Sequence, residues 1–247
     1  MFCGPNISRD YPVEKVLIYK GYFAYECMAH AMEKSPHYTG YLLINDDLII
    51  NYWNFLAFDR NKIWLGPRKP TAFKGFFPPS WWRWWNSSYG ITQCQKAFNE
   101  LWHLQKDTPQ SVWNLKQLFH NLRFNGNGKF YCSRGRSDIF YIPKRFAEAF
   151  QLMSSIFEKH KVFLEIAVPT ICRLLDLVEN FENVPGVYLP GRKKDPPVRE
   201  GKYFWMAYNT SLGFLHPIKL NYKQDKEINH VLLERWIVQF SKSMTKC

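Results

Sequence analysis

The chain has no Cys-x-x-Cys pair and no close cluster of Cys and His. That argues against a structural zinc site. No apolar run reaches the length needed to cross a bilayer, and no signal-like segment opens the chain. Internal repeats and low-complexity tracts are also missing, which excludes solenoids and arrays. There is no recognisable RNA- or DNA-binding motif, so no specific nucleic-acid partner is expected. Acids are the scarcer charge, 21 Asp and Glu against 33 Lys and Arg, a formal net charge of +12. That balance favours anionic partners such as phosphates, anionic glycans or lipid surfaces, and by itself gives only weak, salt-sensitive binding to nucleic acid.

What is present is apolar and aromatic. With 247 residues and 46% hydrophobic content the chain can bury one sizeable core, and a single domain over residues 1–247 is expected. Aromatics reach 18%, and their faces stack on bases and on the C–H faces of sugars. Cys3, Cys27, Cys94, Cys132, Cys172 and Cys247 are scattered, which fits either free thiols or a few long-range disulfides. Three sequons, Asn6-Ile7-Ser8, Asn86-Ser87-Ser88 and Asn209-Thr210-Ser211, are usable only in a secretory lumen.

The stretch of most interest is Tyr41-Leu42-Leu43-Ile44-Asn45-Asp46-Asp47-Leu48. Its apolar run, preceded by Gly40, predicts a strand buried on both faces of a parallel sheet. Ligands of open α/β sheets sit beyond the carboxyl ends of such strands. Adjacent carboxylates repel unless something positive lies beside them. A Mg²⁺ or Mn²⁺ ion carrying a diphosphate meets that need; capping of the next turn by the acids is the plainer alternative.

Around it, Val16–Tyr19, a helix over Tyr22–Lys34 and the Tyr41–Ile44 strand read as a βαβ unit, with the two strands parallel neighbours. Leu48–Phe55 is apolar without a firm assignment. Asn61–Gly66 and Lys129–Cys132 read as short strands, and Gln93–Lys106 and Ser111–Asn121 as helices. Pro67–Gly90 reads as a loop carrying Trp81-Trp82-Arg83-Trp84-Trp85. That cluster is either a set of buried indoles stapling the loop or a platform for a sugar acceptor. Ser137–Pro143 predicts a strand entering a helix that runs to about Lys159. Phe163–Thr170 runs into a further helix. Gly191–Lys202, rich in charge and breakers, reads as a mobile loop, Tyr203–Tyr208 as a strand, and Glu227–Ser243 as an amphipathic helix.

Several marks fall in order: a strand ending in Asn45-Asp46-Asp47, the Ser137–Pro143 segment, Glu165 at a helix entrance, and His216 with Lys219 three residues on. Together they resemble the GT-A fold, metal-dependent glycosyltransferases, of which exostosin-like enzymes and the plant STELLO proteins are the comparisons. The resemblance covers roughly Val16 to Leu220. It implies an α/β fold with a mostly parallel central sheet flanked by helices, a nucleotide-sugar donor, a glycan or protein acceptor, and Mn²⁺ or Mg²⁺ as cofactor. Carried over, Asp47 and His216 hold the metal, Asp46 supports, Asn45 faces the nucleotide and Lys219 the diphosphate. Glu165 is the base in an inverting reaction, and Trp81, Trp82 and Asp138 lie on the acceptor side. Asn45 stands where the family commonly has Asp, and Glu165 lacks the usual following Asp.

The family places further βα units before the acidic motif, whereas 44 residues precede Asn45 here. The resemblance therefore implies a longer protein or an incomplete nucleotide pocket. It also implies residence in the Golgi or secretory lumen, with membrane association only through a segment this sequence does not include. A non-catalytic module that binds glycan or a partner enzyme is the alternative.

Overall fold

The computed structural model describes residues 2–4, 13–16, 19, 21–66, 71–72, 82–107, 115–189, 201–218 and 226–244. In chain order the elements are β1 (Phe2–Gly4), β2 (Val13–Lys15), α1 (Tyr25–Lys34), β3 (Gly40–Ile44), β4 (Ile49–Ile50), β5 (Trp64–Leu65) and β6 (Thr71–Ala72). Then come α2 (Ile91–Asp107), α3 (Leu115–Asn125), β7 (Ser133–Arg134), β8 (Ile139–Pro143), α4 (Ala147–Lys159), α5 (Leu164–Leu175) and β9 (Glu182–Asn183). Last are β10 (Gly186–Tyr188), α6 (Gly201–Ala207), β11 (Phe214–His216) and α7 (Lys226–Met244). Short 3₁₀ turns cover Tyr52–Phe55, Lys144–Phe146 and Val178–Asn180. The fold is mixed α/β.

The chain forms two compact units, Met1–Leu43 with Arg60–Glu182, and Ile44–Asp59 with Asn183–Cys247. The first holds the larger core. Helix α1 buries Tyr25, Met28 and Met32, spaced to lie on one face. It ends at Ser35, whose N–H bonds the Ala31 carbonyl, ahead of Pro36. Helix α5 is apolar nearly all round and buried from Ile166 to Leu175, as a helix inside a core must be. Its last carbonyls lack helical partners and take them from α3. Asn121 Nδ2 donates to the oxygens of Leu174 and Leu175 at 3.1 Å each, and Asn125 Nδ2 to that of Arg173 at 2.8 Å. Two disulfides, Cys3–Cys27 and Cys94–Cys132, tie this unit, and Cys172 is a buried thiol.

The sheet of this unit runs β3-β8-β5-β9. Strands β5 and β8 are antiparallel, with Trp64 opposite Tyr141 and their rings stacked at 4.0 Å. Strand β8 is buried at every position. Strand β3 is not. Tyr41 and Leu43 point inward, while Leu42 and Ile44 are 40% and 46% exposed. The expected strand buried on both faces is therefore corrected to one with a single buried face, because side chains alternate across a strand. Gly40 is required where it stands, since a Cβ there would lie 2.0 Å from the Tyr141 hydroxyl.

The strand pairings whose direction is described are mixed. β1–β2 and β10–β11 are parallel, but β5–β8, β6–β7 and β4–β11 are antiparallel. The neighbour of β3 in the described sheet is β8, not a strand at Val16–Tyr19. There the strand is Val13–Lys15, paired with β1, and residues 17 and 18 lie outside the described set. Short hydrophobic runs signal a strand but not its partner.

In the second unit, β10 lies parallel to β11, and β11 antiparallel to β4. Ile49, Leu189, Phe204, Leu215 and Ile218 make its core. Tyr203–Tyr208, expected as a strand, is helical through Ala207. Phe204 is its one fully buried aromatic, and aromatic content by itself does not make a strand. The same helix takes in Gly201 and Lys202 from the expected loop; residues 190–200 lie outside the described set. Asn51, 1% exposed, is the polar centre of this unit. Its Nδ2 donates to the carbonyls of Asn209 (3.1 Å) and Leu212 (2.8 Å), and its Oδ1 accepts from Tyr208 Oη (2.9 Å) and Trp236 Nε1 (3.2 Å). Every polar atom of that side-chain amide is thus paired, as burial demands.

Candidate metal and donor site

Antiparallel register places this site. Ile49 faces Leu215 across β4 and β11. One step further, the turn before β4 runs beside the end of β11. Asp47 is in that turn and His216 ends the strand. The Ile218 N–H donates to the Asp47 carbonyl at 2.8 Å and continues the pairing past Pro217. The side chains then meet, with Asp47 Oδ1 3.0 Å from His216 Nε2. Two residues far apart in the chain are brought together by a ladder.

The partner strand secures His216 on the other side. Tyr188 is opposite it in β10, the two rings lie 5.4 Å apart, and the Leu189 N–H donates to the His216 carbonyl at 2.7 Å. The His216 and Asp47 side chains are 12% and 22% exposed, so solvent reaches a pair that is otherwise packed. Asn45 is half-buried and Asp46 exposed in the same turn.

The pair fits a small divalent ion. Neighbouring ligands at about 2.1 Å from an octahedral ion stand about 3 Å apart, close to the observed separation. A carboxylate oxygen with an imidazole nitrogen suits Mn²⁺, and Mg²⁺ or Mn²⁺ need few protein ligands when phosphate oxygens complete the shell. The plain chemical description of the same geometry is a carboxylate–imidazole hydrogen bond. Tyr188 was not singled out in the sequence, because Gly186–Tyr188 is too short to read as a strand there.

Among the other sequence-derived candidates, Lys219 and Trp81 are outside the described residues. Glu165, Trp82 and Asp138 belong to the first unit. Glu165 occupies the first turn of α5, where an acid favours the helix dipole. Its Oε1 is 3.4 Å from Arg136 Nη1, and its side chain is 17% exposed. Its carbonyl accepts the Gly135 N–H at 3.0 Å. Burial lowers the Arg134 guanidinium below its ordinary value, offset in part by the charge of Glu165. Arg134 also stands over the Trp82 ring, 5.6 Å from its centroid. Glu165 and Trp82 are thus linked through one arginine. Trp82 is half-buried against the core, Trp84 stacks on Phe163 at 4.5 Å, and Trp85 is in the core. Trp84 and Trp85 staple this segment to the core. Asp138 immediately precedes β8.

Comparison with known proteins finds distant likeness. The chain is 22% identical over 203 residues to the Probable glycosyltransferase STELLO2 of Arabidopsis thaliana. It is 24% identical over 213 residues to the Probable glycosyltransferase STELLO1 of the same plant. Each alignment takes in 81% of this chain and 24% of the relative, so the chain spans about a quarter of the length of the curated relatives it matches. No family model matches, and no solved structure matches.

Proposed function

We propose that this chain carries the sugar-transfer module of a metal-dependent glycosyltransferase of GT-A type, moving a sugar from a nucleotide sugar to a hydroxyl on a glycan or protein. The observation that carries the reading is the Asp47–His216 pair at 3.0 Å, set by the β4–β11 ladder directly after a strand end. The named relatives support the same class of chemistry. A Mn²⁺ or Mg²⁺ ion bound there supplies positive charge against the departing diphosphate. Asp47 and His216 hold it, Asp46 adds negative charge in the same turn, and Asn45 offers an amide to a ribose hydroxyl. Lys219 is assigned to the diphosphate as a point charge.

Glu165 is assigned the acceptor proton if the reaction inverts. A base must reach the hydroxyl directly or through one water, and its ion pair with Arg136 orients the carboxylate. Trp82, with Trp81 and Asp138, is assigned to the acceptor. The two disulfides support an oxidising compartment, in keeping with the Golgi or secretory lumen.

The test is calorimetric titration of the full chain with UDP and GDP, with and without Mn²⁺. Binding of one nucleotide is expected only with the metal, and it should disappear in Asp47→Ala and in His216→Ala. Equal binding without metal, or unchanged binding in both variants, overturns the metal assignment. With an active donor in hand, Glu165→Gln should keep donor affinity and lower transfer by roughly two to four orders of magnitude. Unchanged transfer makes Glu165 a helix-terminus acid.

A further inference from the structure

We infer that Asn209 is an N-glycosylation site and that its glycan stands on a rigid loop of the second unit. The inference shares only the oxidising compartment with the proposed function. The loop from Tyr208 to Gly213 joins α6 to β11 and carries Asn209-Thr210-Ser211. All three residues of the sequon are exposed. Their backbone is not loose. The Asn209 carbonyl accepts from Asn51 Nδ2 at 3.1 Å and from the Leu212 N–H at 3.1 Å. The Thr210 carbonyl accepts from Trp53 Nε1 at 3.1 Å and Asn54 Nδ2 at 2.8 Å. The main chain is therefore satisfied from the inside, while the side chains face water.

The Asn209 amide is oriented as well. Its Oδ1 accepts the Ser211 N–H at 2.9 Å, which turns Nδ2, the atom to be modified, away from the backbone. A bulky sugar on that nitrogen displaces no buried group and breaks none of these bonds. Asn86, also exposed, sits in a tighter setting between core Trp85 and Ser87, whose hydroxyl bonds the Trp84 carbonyl at 2.8 Å. The compartment condition is independent of the loop. Cys3–Cys27 and Cys94–Cys132 belong to a protein that matures where disulfides persist, which is also where Asn-x-Ser/Thr is modified.

The step is a group transfer from a polyprenyl-diphosphate-linked oligosaccharide. The amide nitrogen forms a C–N bond to the anomeric carbon as its C–O bond to the diphosphate breaks. The diphosphate leaves with the bonding pair, and the amide gives up one proton to a base on the transferring enzyme.

The test uses the protein isolated from the cells that make it. Peptide mass spectrometry after enzymatic deglycosylation in ¹⁸O water should find an ¹⁸O-labelled aspartate at position 209. Asn209→Gln and Ser211→Ala should each remove one glycan from the intact mass, the second while leaving the asparagine in place. Recovery of the Asn209 peptide unmodified overturns the inference, whether or not Cys94 and Cys132 are found disulfide bonded. A failure of nucleotide binding has no bearing on this readout, so the two proposals fail separately.

Discussion

Glu26 on α1 and Glu158 on α4 face a cavity of about 650 Å³ that His30, Glu33 and Ser155 also line. Burial, and then the Glu158 charge, push the Glu26 carboxyl from its ordinary 4.5 up to about 7, against a lowering by Lys161. The native chain therefore keeps a proton that the unfolded chain gives up. Below about pH 4.5 both states are protonated and Glu26 costs nothing. Between about 4.5 and about 7 the unfolded state ionises first, so stability falls as pH rises, and above about 7 the cost is complete. Each pH unit of separation is worth about 1.4 kcal/mol, which sets a ceiling of about 3 kcal/mol. The cavity opens to solvent, and screening brings the expectation to about 1–2 kcal/mol.

Glu26→Gln removes the ionisation. Thermal unfolding of both proteins should show no gain for the variant at pH 4.5. At pH 8 the gain should be roughly 2–8 °C, the span that about 1–2 kcal/mol produces in a chain of this size. Any fixed cost of an amide in that cavity cancels when the two pH values are compared. A difference that does not change with pH, or that favours wild type at pH 8, refutes the reasoning.

Two further outcomes follow from single interactions. Asn51→Ala removes the acceptor shared by the Tyr208 hydroxyl and the Trp236 N–H, and one of the two donors to each of the Asn209 and Leu212 carbonyls. It should cost about 3 kcal/mol, read as a fall in urea midpoint, and a loss below about 1 kcal/mol contradicts the role given to Asn51. Replacing both Cys94 and Cys132 by Ala opens a loop of 38 residues. By loop entropy it should cost about 4 kcal/mol, measured by urea unfolding against the oxidised wild type; equal stability refutes the loop-entropy account.

Local signals were legible wherever period or punctuation was strong. Helix α4 was readable from Pro143 onward and α7 from its spacing. The entrance to α1 was set by apolar positions three and four apart, which decide a helix without help from distant residues. The Asp46–Asp47 corner stands out in the sequence because adjacent acids after a strand repel unless something positive lies beside them. Pairing was not legible. That β3 borders β8, and that one of its faces meets solvent, depends on which strand arrives beside it. Tyr203–Ala207 turned helical because only Phe204 is driven into the core, and burial rather than aromatic content decided its state. Asn51 reads as one amide in an apolar run until four partners from distant segments surround it. The approach of Asp47 to His216 was expected from a resemblance in motif order, not from any property of the two residues. What produces it is the Ile49–Leu215 register, a property of the folded ladder. Short-range sterics and amphipathic spacing are written along the chain. Strand partners, register and the satisfaction of buried polar atoms are set only when distant segments pack, because each depends on groups that no local stretch contains.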